Sequence, residues 1–126
     1  MSGPDPKAVV RRFVEVMNTG DLEPLAEVCE PELAKRLRGW IAPFLRSFPD
    51  MRMEVVELVA EGERVVGRFR CSATHRGRWR GHEPTGRRFE SVDEVGFYTV
   101  RDGRIAESWA IEDTLDRLRQ LGLPPL

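Results

Sequence analysis

Helical spacing of apolar residues runs through the first half of the chain. Asp5 followed by Pro6 predicts a helix start, because an aspartate side chain caps free backbone N–H groups and proline fits the first helical turn. The apolar positions that follow have helical spacing and are Val9, Val10, Phe13, Val14 and Met17. Gly20 is predicted to end this helix, since glycine readily adopts the left-handed capping conformation.

Two further helical segments are predicted before residue 50. Asp21 is predicted to cap the second one, which carries Leu22, Leu25, Ala26 and Cys29. A longer stripe follows and includes Leu33, Leu37, Trp40, Ile41, Phe44, Leu45 and Phe48. We expect a break or kink in this stripe near Gly39 and Pro43, because proline lacks the helical N–H donor.

The second half of the chain alternates between apolar and polar residues, which is typical of strands with one buried face. Strands are predicted near residues 51–55, 65–73, 88–100 and 105–111. Asp102-Gly103 predicts a tight hairpin turn. A short closing helix is predicted from Thr114 to Leu121, with Leu115, Leu118 and Leu121 on its apolar side.

This order predicts a single α+β domain over residues 1–126, in which helices pack on one antiparallel sheet. Gly67 and Gly96 lie in the middle of predicted strands, where glycine commonly marks a bend or a bulge. A bent sheet that wraps helices encloses a cone-shaped interior. Such an apolar hollow is the expected binding site for a small hydrophobic or aromatic ligand.

Composition narrows the choice of partners. The 126 residues are 40% apolar and 33% charged with a net charge of −1, which argues against a dedicated nucleic-acid or anionic-membrane binder. The N-terminus has neither a basic start nor an apolar stretch, so we expect a cytoplasmic protein without a secretory signal. Cys29 and Cys71 lie in apolar patterns and predict buried free thiols, and the spacing of cysteines and histidines predicts no metal site.

Seven short segments along the chain resemble one family when they are taken together and in order. They are Asn18-Thr19-Gly20-Asp21, Phe48-Pro49-Asp50, Glu61-Gly62-Glu63-Arg64-Val65, Thr74-His75-Arg76-Gly77, Pro84-Thr85-Gly86-Arg87, Asp102-Gly103-Arg104-Ile105, and Trp109 followed by Asp113. The sequence is similar to the SnoaL-like polyketide cyclases of the nuclear transport factor 2-like superfamily. The resemblance implies the cone-shaped, cystatin-like fold of that superfamily.

The resemblance also implies a chemistry. Cyclases of this family use no cofactor and close a ring of an aromatic polyketide ester by intramolecular aldol addition. Their acid–base aspartate matches Asp113, whose pKa would rise in an apolar pocket because burial favours the neutral carboxyl. Trp109 has the same strand parity, which places Asp113 on an apolar face if the strand is regular to its end. The alternative is that Asp113 only caps the helix that begins at Thr114.

Further candidates for the site come from the strands, the third helical stripe and the loop from His75 to Gly86. Asp93 and Glu94 are adjacent in a strand, so one of them must face inward, and the pattern leaves open which one. The candidate ligand-binding residues are Trp40, Phe44, His82, Tyr98 and Trp109. We expect the loop to form a mobile rim around the cavity, because its glycines and charges leave it little apolar surface to bury.

Three functions compete at this point: a polyketide cyclase, a related cofactor-free hydroxylase or epoxide hydrolase, and a non-catalytic small-molecule-binding or dimerisation module. An epoxide hydrolase would need an arginine between two carboxylates, for which Asp113, Asp93 and a strand arginine are candidates. A homodimer is also predicted, because Val92, Val100 and Ala110 are expected on an outer sheet face that one layer of helices cannot cover.

Overall fold

The computed structural model describes residues 5–125 and contains the predicted α+β arrangement. The helices and strands follow one another as α1 Pro6–Thr19, α2 Leu25–Val28, α3 Pro31–Ser47, β1 Arg52–Glu61, β2 Arg64–Thr74, β3 Arg88–Arg101, β4 Arg104–Glu112 and α4 Thr114–Gln120. No helix in this part of the chain has both the length and the hydropathy that a bilayer span requires.

The ends of α1 lie where the sequence predicts them. The Asp5 carboxylate accepts a hydrogen bond of 3.0 Å from the backbone N–H of Lys7, which caps the first turn. Gly20 follows the last turn with φ of +79°, a left-handed conformation that favours glycine. One apolar face of α1 is buried in the core.

The other two N-terminal helices differ from their predictions. Asp21 caps a turn rather than a helix, because its carboxylate accepts from Glu23 N and the helix α2 begins only at Leu25. The predicted break in α3 is wrong: the helix is continuous through Gly39 and Pro43 and ends at Ser47. A single proline removes one hydrogen bond from the helix, and packing of the surrounding turns against the core outweighs that loss.

The four strands form one antiparallel sheet in sequence order. One row of paired residues on its concave face runs across all strands and consists of Val55, Phe69, Glu94 and Glu112. A row on the opposite face consists of Val59, Val66, Phe97 and Trp109. The concave face packs against α1 and carries most of the buried core of the sheet.

Register shifts interrupt each pair of neighbouring strands, between Val55 and Glu57, Cys71 and Ala73, and Thr99 and Val100. Such irregularities bend a sheet and change which side chains face inward. The outer-face assignment of Val92, Val100 and Ala110 is wrong for a different reason. Val92 and Val100 share the strand parity of Glu94 and Tyr98, and Ala110 shares that of Glu112, so all three lie on the concave face. Val92 and Val100 are buried in the core, and Ala110 pairs with Gly96 beside the cavity.

Gly67 and Gly96 are direct partners at the centre of the sheet. Each one is overlain by an aromatic ring two residues further along its own strand, Phe69 over Gly67 and Tyr98 over Gly96. A methyl group at either position would overlap that ring. The two glycines therefore let aromatic side chains lie flat along the concave face.

We predict that Gly96→Ala destabilises the protein by about 1–3 kcal/mol, because the new methyl group displaces the Tyr98 ring from its place. Gly39→Ala is the matched control, since nothing lies within 4 Å of a Cβ at that helical position. The control should stabilise the fold by about 0.5–1 kcal/mol. Urea denaturation measures both changes, and equal stability of wild type and Gly96→Ala would contradict the prediction.

Candidate functional site

A cavity of about 1160 Å³ opens between the concave face of the sheet and the helices. The wall includes residues from α1, α3, all four strands, the loop after β2, and α4. Its apolar part consists of Phe13, Met17, Leu37, Trp40, Ile41, Pro43, Phe44, Met51, Met53, Trp79 and Ala110. This is the size and character of a site for a small organic molecule.

Glu94 is the carboxyl that strand β3 directs into the cavity. Its neighbour Asp93 points outward and lies 3.3 Å from the Arg68 guanidinium, which settles the choice that the sequence left open. Within residues 5–125, the Glu94 carboxyl receives no hydrogen bond. Burial raises its pKa to about 7, the nearby Glu112 charge adds to the rise, and Arg117 opposes it.

Glu112 is the direct partner of Glu94 on the neighbouring strand β4. Both of its carboxylate oxygens accept hydrogen bonds from the guanidinium of Arg117 in α4, and one of these contacts is very short. A guanidinium that bonds both oxygens of a carboxylate forms one of the stronger polar contacts in proteins. The two acids are therefore distinct: Glu112 is held by a cation, and Glu94 is not.

Arg117 is completely buried. Its guanidinium carbon lies 4.7 Å from the ring centre of Phe89, 5.0 Å from that of Phe44 and 5.8 Å from that of Trp79. Aromatic faces attract cations, so these rings partly replace the water that the guanidinium loses. Its Nε atom has no hydrogen-bond partner among the described residues.

Tyr98 and Cys71 complete the polar part of the wall. The Tyr98 ring packs edge-on against Phe13 and lies over Gly96, the residue between it and Glu94 on the same face. Burial and the Glu94 charge raise the pKa of the Tyr98 hydroxyl, and burial raises the pKa of the Cys71 thiol to about 12. Both groups thus keep their protons at neutral pH and can act as hydrogen-bond donors.

Asp113 does not enter the cavity. Its carboxylate accepts a hydrogen bond of 3.0 Å from Asp116 N and caps α4, and the residue is exposed. The expected orientation is wrong because Asp113 follows the last residue of β4 and shares its parity with Trp109, on the outer face. The capping alternative describes what the structure shows.

The predicted ligand-binding aromatics fall into two groups. Trp40, Phe44 and Tyr98 border the cavity, and Trp40 stands at its rim with 77% of its surface exposed. Trp109 borders the cavity through strand β4, whereas its ring lies on the outer face with its centre 5.6 Å from that of Phe97. His82 is not part of the cavity wall; it lies in the loop after β2, paired with Trp79.

The base of that loop is well packed, contrary to the expectation that it buries little apolar surface. His75 is fully buried against Phe48, with 5.4 Å between the ring centres, and its Nδ1 atom accepts from Thr85 N at 3.1 Å. Gly77 fits closely against the backbone of Arg46 at the end of α3. The tip of the loop borders the cavity with Arg78, Trp79 and Arg80, as expected for a rim.

Comparison with known proteins agrees with the fold. The family profile of SnoaL-like polyketide cyclases matches residues 7–121. The chain belongs to this family. No curated protein sequence matches this SnoaL-like chain.

Three solved structures are similar to this SnoaL-like domain. IdmH from Streptomyces antibioticus, described as a candidate polyketide cyclase, is 31% identical, with a TM-score of 0.86 over 95% of this chain and 100% of IdmH. AclR from Streptomyces galilaeus, a candidate hydroxylase, is 28% identical, with a TM-score of 0.85 over 96% of this chain and 83% of AclR. TsrD from Streptomyces laurentii is 26% identical, with a TM-score of 0.85 over 94% and 95% of the two chains.

Two members of this SnoaL-like site were not identified from the sequence, namely Glu112 and Arg117. Tyr98 is the cross-strand partner of Ser108, and Glu112 lies on the same face of β4 as Ser108. With the register of β3 and β4 in hand, alternation would have indicated that Glu112 faces inward. Arg117 carries no such signal, because a charged residue in a short helix is normally expected to be exposed.

We predict that the stability of Glu94→Gln relative to wild type rises between pH 4.5 and pH 8. The free energy of unfolding of the variant, minus that of wild type, should be about 1–3 kcal/mol larger at pH 8 than at pH 4.5. The raised pKa means that the folded state keeps a proton between about pH 4.5 and 7 that the unfolded state releases. Wild-type stability therefore falls across this window, and the glutamine variant lacks that loss. Asp93→Asn is the adjacent control on the exposed face, and parallel pH–stability curves for Glu94→Gln and wild type would refute the prediction.

Proposed function

We propose that this protein is a cofactor-independent enzyme that closes a ring in an aromatic or polycyclic small molecule, with Glu94 as the acid–base group. The observation that supports this most strongly is the placement of the Glu94 carboxyl. It lies in an apolar cavity, it has no hydrogen-bond donor among the described residues, and its pKa is raised to about 7. A general acid–base catalyst works best with a pKa near the working pH.

The proposed reaction is an intramolecular aldol addition. Ionised Glu94 takes a proton from the carbon next to a substrate carbonyl, and the electron pair of that C–H bond forms an enolate. The enolate carbon then attacks a second carbonyl of the same molecule, so that a carbon–carbon bond forms and the second oxygen becomes an alkoxide. The protonated Glu94 returns its proton to this alkoxide, which leaves the enzyme unchanged.

The surrounding groups support these steps. The Tyr98 hydroxyl lies on the Glu94 side of the cavity and can donate a hydrogen bond to an enolate oxygen. We assign Trp40, Phe44 and Tyr98 to contacts with the substrate rings, since flat aromatic walls favour aromatic ligands. The Glu112 charge disfavours a second charge on Glu94, which keeps a fraction of Glu94 protonated at neutral pH.

One observation supports a second candidate function. The cavity wall brings together two carboxylates and an arginine, namely Glu94, Glu112 and Arg117, with Arg117 bonded to Glu112 and its charge acting on Glu94. These replace the expected Asp113, Asp93 and strand arginine. Such a set is what a cofactor-free epoxide hydrolase would need. Incorporation of labelled oxygen from water into a product would favour that reaction, because the aldol ring closure adds no atom from water.

We predict that Glu94→Gln lowers ring closure of aromatic polyketide esters by at least about a hundredfold, as expected for loss of a general acid–base group. Asp113→Asn tests the role that the sequence predicted and should retain turnover and stability, because asparagine caps a helix about as well as aspartate. Mass spectrometry of the products and the turnover number measure both effects. Full activity of Glu94→Gln, or a loss of activity in Asp113→Asn alone, would overturn the assignment of Glu94.

The cytoplasmic location remains a prediction from the sequence.

We also propose that the protein forms a homodimer through the outer face of the sheet. The row of Val59, Val66, Phe97 and Trp109 crosses all four strands, and Ile111 extends it. Val59, Trp109 and Ile111 are each about 60% exposed, with 61%, 58% and 59% of their surfaces accessible. A second copy of the same face is a suitable partner, because a two-fold interface matches an apolar row with itself.

Trp109→Glu should shift this dimer to monomer, since a charged side chain at the centre of an apolar interface is costly to bury. Trp40→Glu is the control, because Trp40 is also an exposed tryptophan but lies at the cavity rim. Light scattering at micromolar concentration distinguishes the two states. A monomeric wild type, or a dimer that Trp109→Glu leaves intact, would refute the proposal.

A further inference from the structure

The mouth of the cavity is lined with positive charge. Arg36 and Arg46 come from α3, and Arg78 and Arg80 come from the loop after β2. The acidic residues in the cavity wall are Glu94 and Glu112, which lie on the sheet. Because the whole chain has a net charge of −1, this arrangement is a local separation of charge rather than a basic protein surface.

Most of these arginines are free to bind a ligand. Arg78 forms an ion pair with Glu83 at 3.1 Å, in which both side chains are well exposed. Among residues 5–125, Arg36, Arg46 and Arg80 take part in none of the ion pairs. An exposed guanidinium offers several N–H donors to an oxyanion in a planar arrangement.

Arg80 is held in a conformation that its residue type does not favour. Trp79 and His82 exchange two backbone hydrogen bonds, of 3.0 and 2.8 Å, around the two-residue turn Arg80-Gly81. Both turn residues have positive φ, +50° for Arg80 and +79° for Gly81. Glycine, asparagine and aspartate are the usual residues at the first of these positions, because a Cβ is disfavoured there. Such local strain is found where a side chain is needed for function.

The strained turn directs the Arg80 guanidinium over the Trp79 ring, with 5.2 Å between the guanidinium carbon and the ring centre. Trp79 is part of the cavity wall, and the exposed Trp40 lies at the same mouth beside Arg36. Indole faces next to free guanidinium groups suit a flat aromatic body that carries an anionic group.

We propose that the mouth binds an oxyanion, such as a carboxylate, on an aromatic ligand whose ring body lies in the cavity. This inference deepens the proposed function and rests on its cavity. Arg80 donates hydrogen bonds to the anionic group at the mouth, and Arg36 and Arg46 add to the positive charge there. The ionised Glu94 carboxylate repels that group from the sheet, whereas the Glu112 charge is balanced by Arg117. The uncharged end of the ligand is therefore the one presented to Glu94.

Two fluorescent probes with the same ring skeleton test this charge selectivity. 8-Anilinonaphthalene-1-sulfonate carries an oxyanion, and N-phenyl-1-naphthylamine is its neutral counterpart. We expect the wild-type protein to bind the sulfonate at least about tenfold more tightly, a preference that shrinks between about 0.02 and 0.5 M salt because partly exposed charges are screened. Binding of the neutral probe should change little with salt.

Arg80→Asn removes the charge and keeps a residue that tolerates the left-handed turn. It should weaken sulfonate binding roughly three- to tenfold and leave the neutral probe unaffected. Arg101→Gln is the control, an exposed arginine at the far end of β3 that does not border the cavity. It should change neither affinity.

Equal affinity for the two probes, equal loss of both in Arg80→Asn, or no binding of either probe would overturn the inference. The outcome is separable from that of the proposed function. Charge selectivity together with unimpaired turnover in Glu94→Gln would remove the proposed acid–base role alone. Turnover that depends on Glu94 without any preference for the anionic probe would remove the oxyanion site alone.

Discussion

The candidate site depends on one buried ion pair. Arg117 has lost all contact with water, and a counter-charge and polarisable neighbours are needed to offset the cost of burying its charge. Glu112 provides the counter-charge, and the rings of Phe44, Trp79 and Phe89 surround the guanidinium. The same pair fixes α4 against the sheet and ties the loop after β2 to the cavity wall.

The ion pair also gives two adjacent carboxyls different properties. Glu112 is bonded directly to Arg117, while the pKa of Glu94 is raised mainly by burial and by the charge of Glu112. A buried carboxyl without a donor is unfavourable for stability at neutral pH. Its presence on β3, two residues before the Gly96 that pairs with Gly67, is the kind of local conflict that functional sites retain.

The fold could be predicted because its signals are local. Asp5, Gly20 and Asp102-Gly103 mark ends and turns through their own backbone preferences, whatever the rest of the chain does. The site depends on the direction of its side chains, and every register shift in the sheet can change that direction. Alternation showed that either Asp93 or Glu94 faces inward, but only the register with β4 determines which one. Arg117 was beyond prediction, because its aromatic neighbours come from α3, β3 and a loop.

The two cysteines lie in different parts of the protein, so their reactivity can report on the opening of each part separately. Cys71 borders the cavity, and Cys29 is buried where α2 ends. Burial raises the pKa of Cys29 to about 11 and that of Cys71 to about 12, so the folded protein presents almost no thiolate to an alkylating reagent. Modification then requires transient opening. The alkylation rates of the two cysteines would report how often the sheet and the helical layer each expose their interiors, without any introduced label.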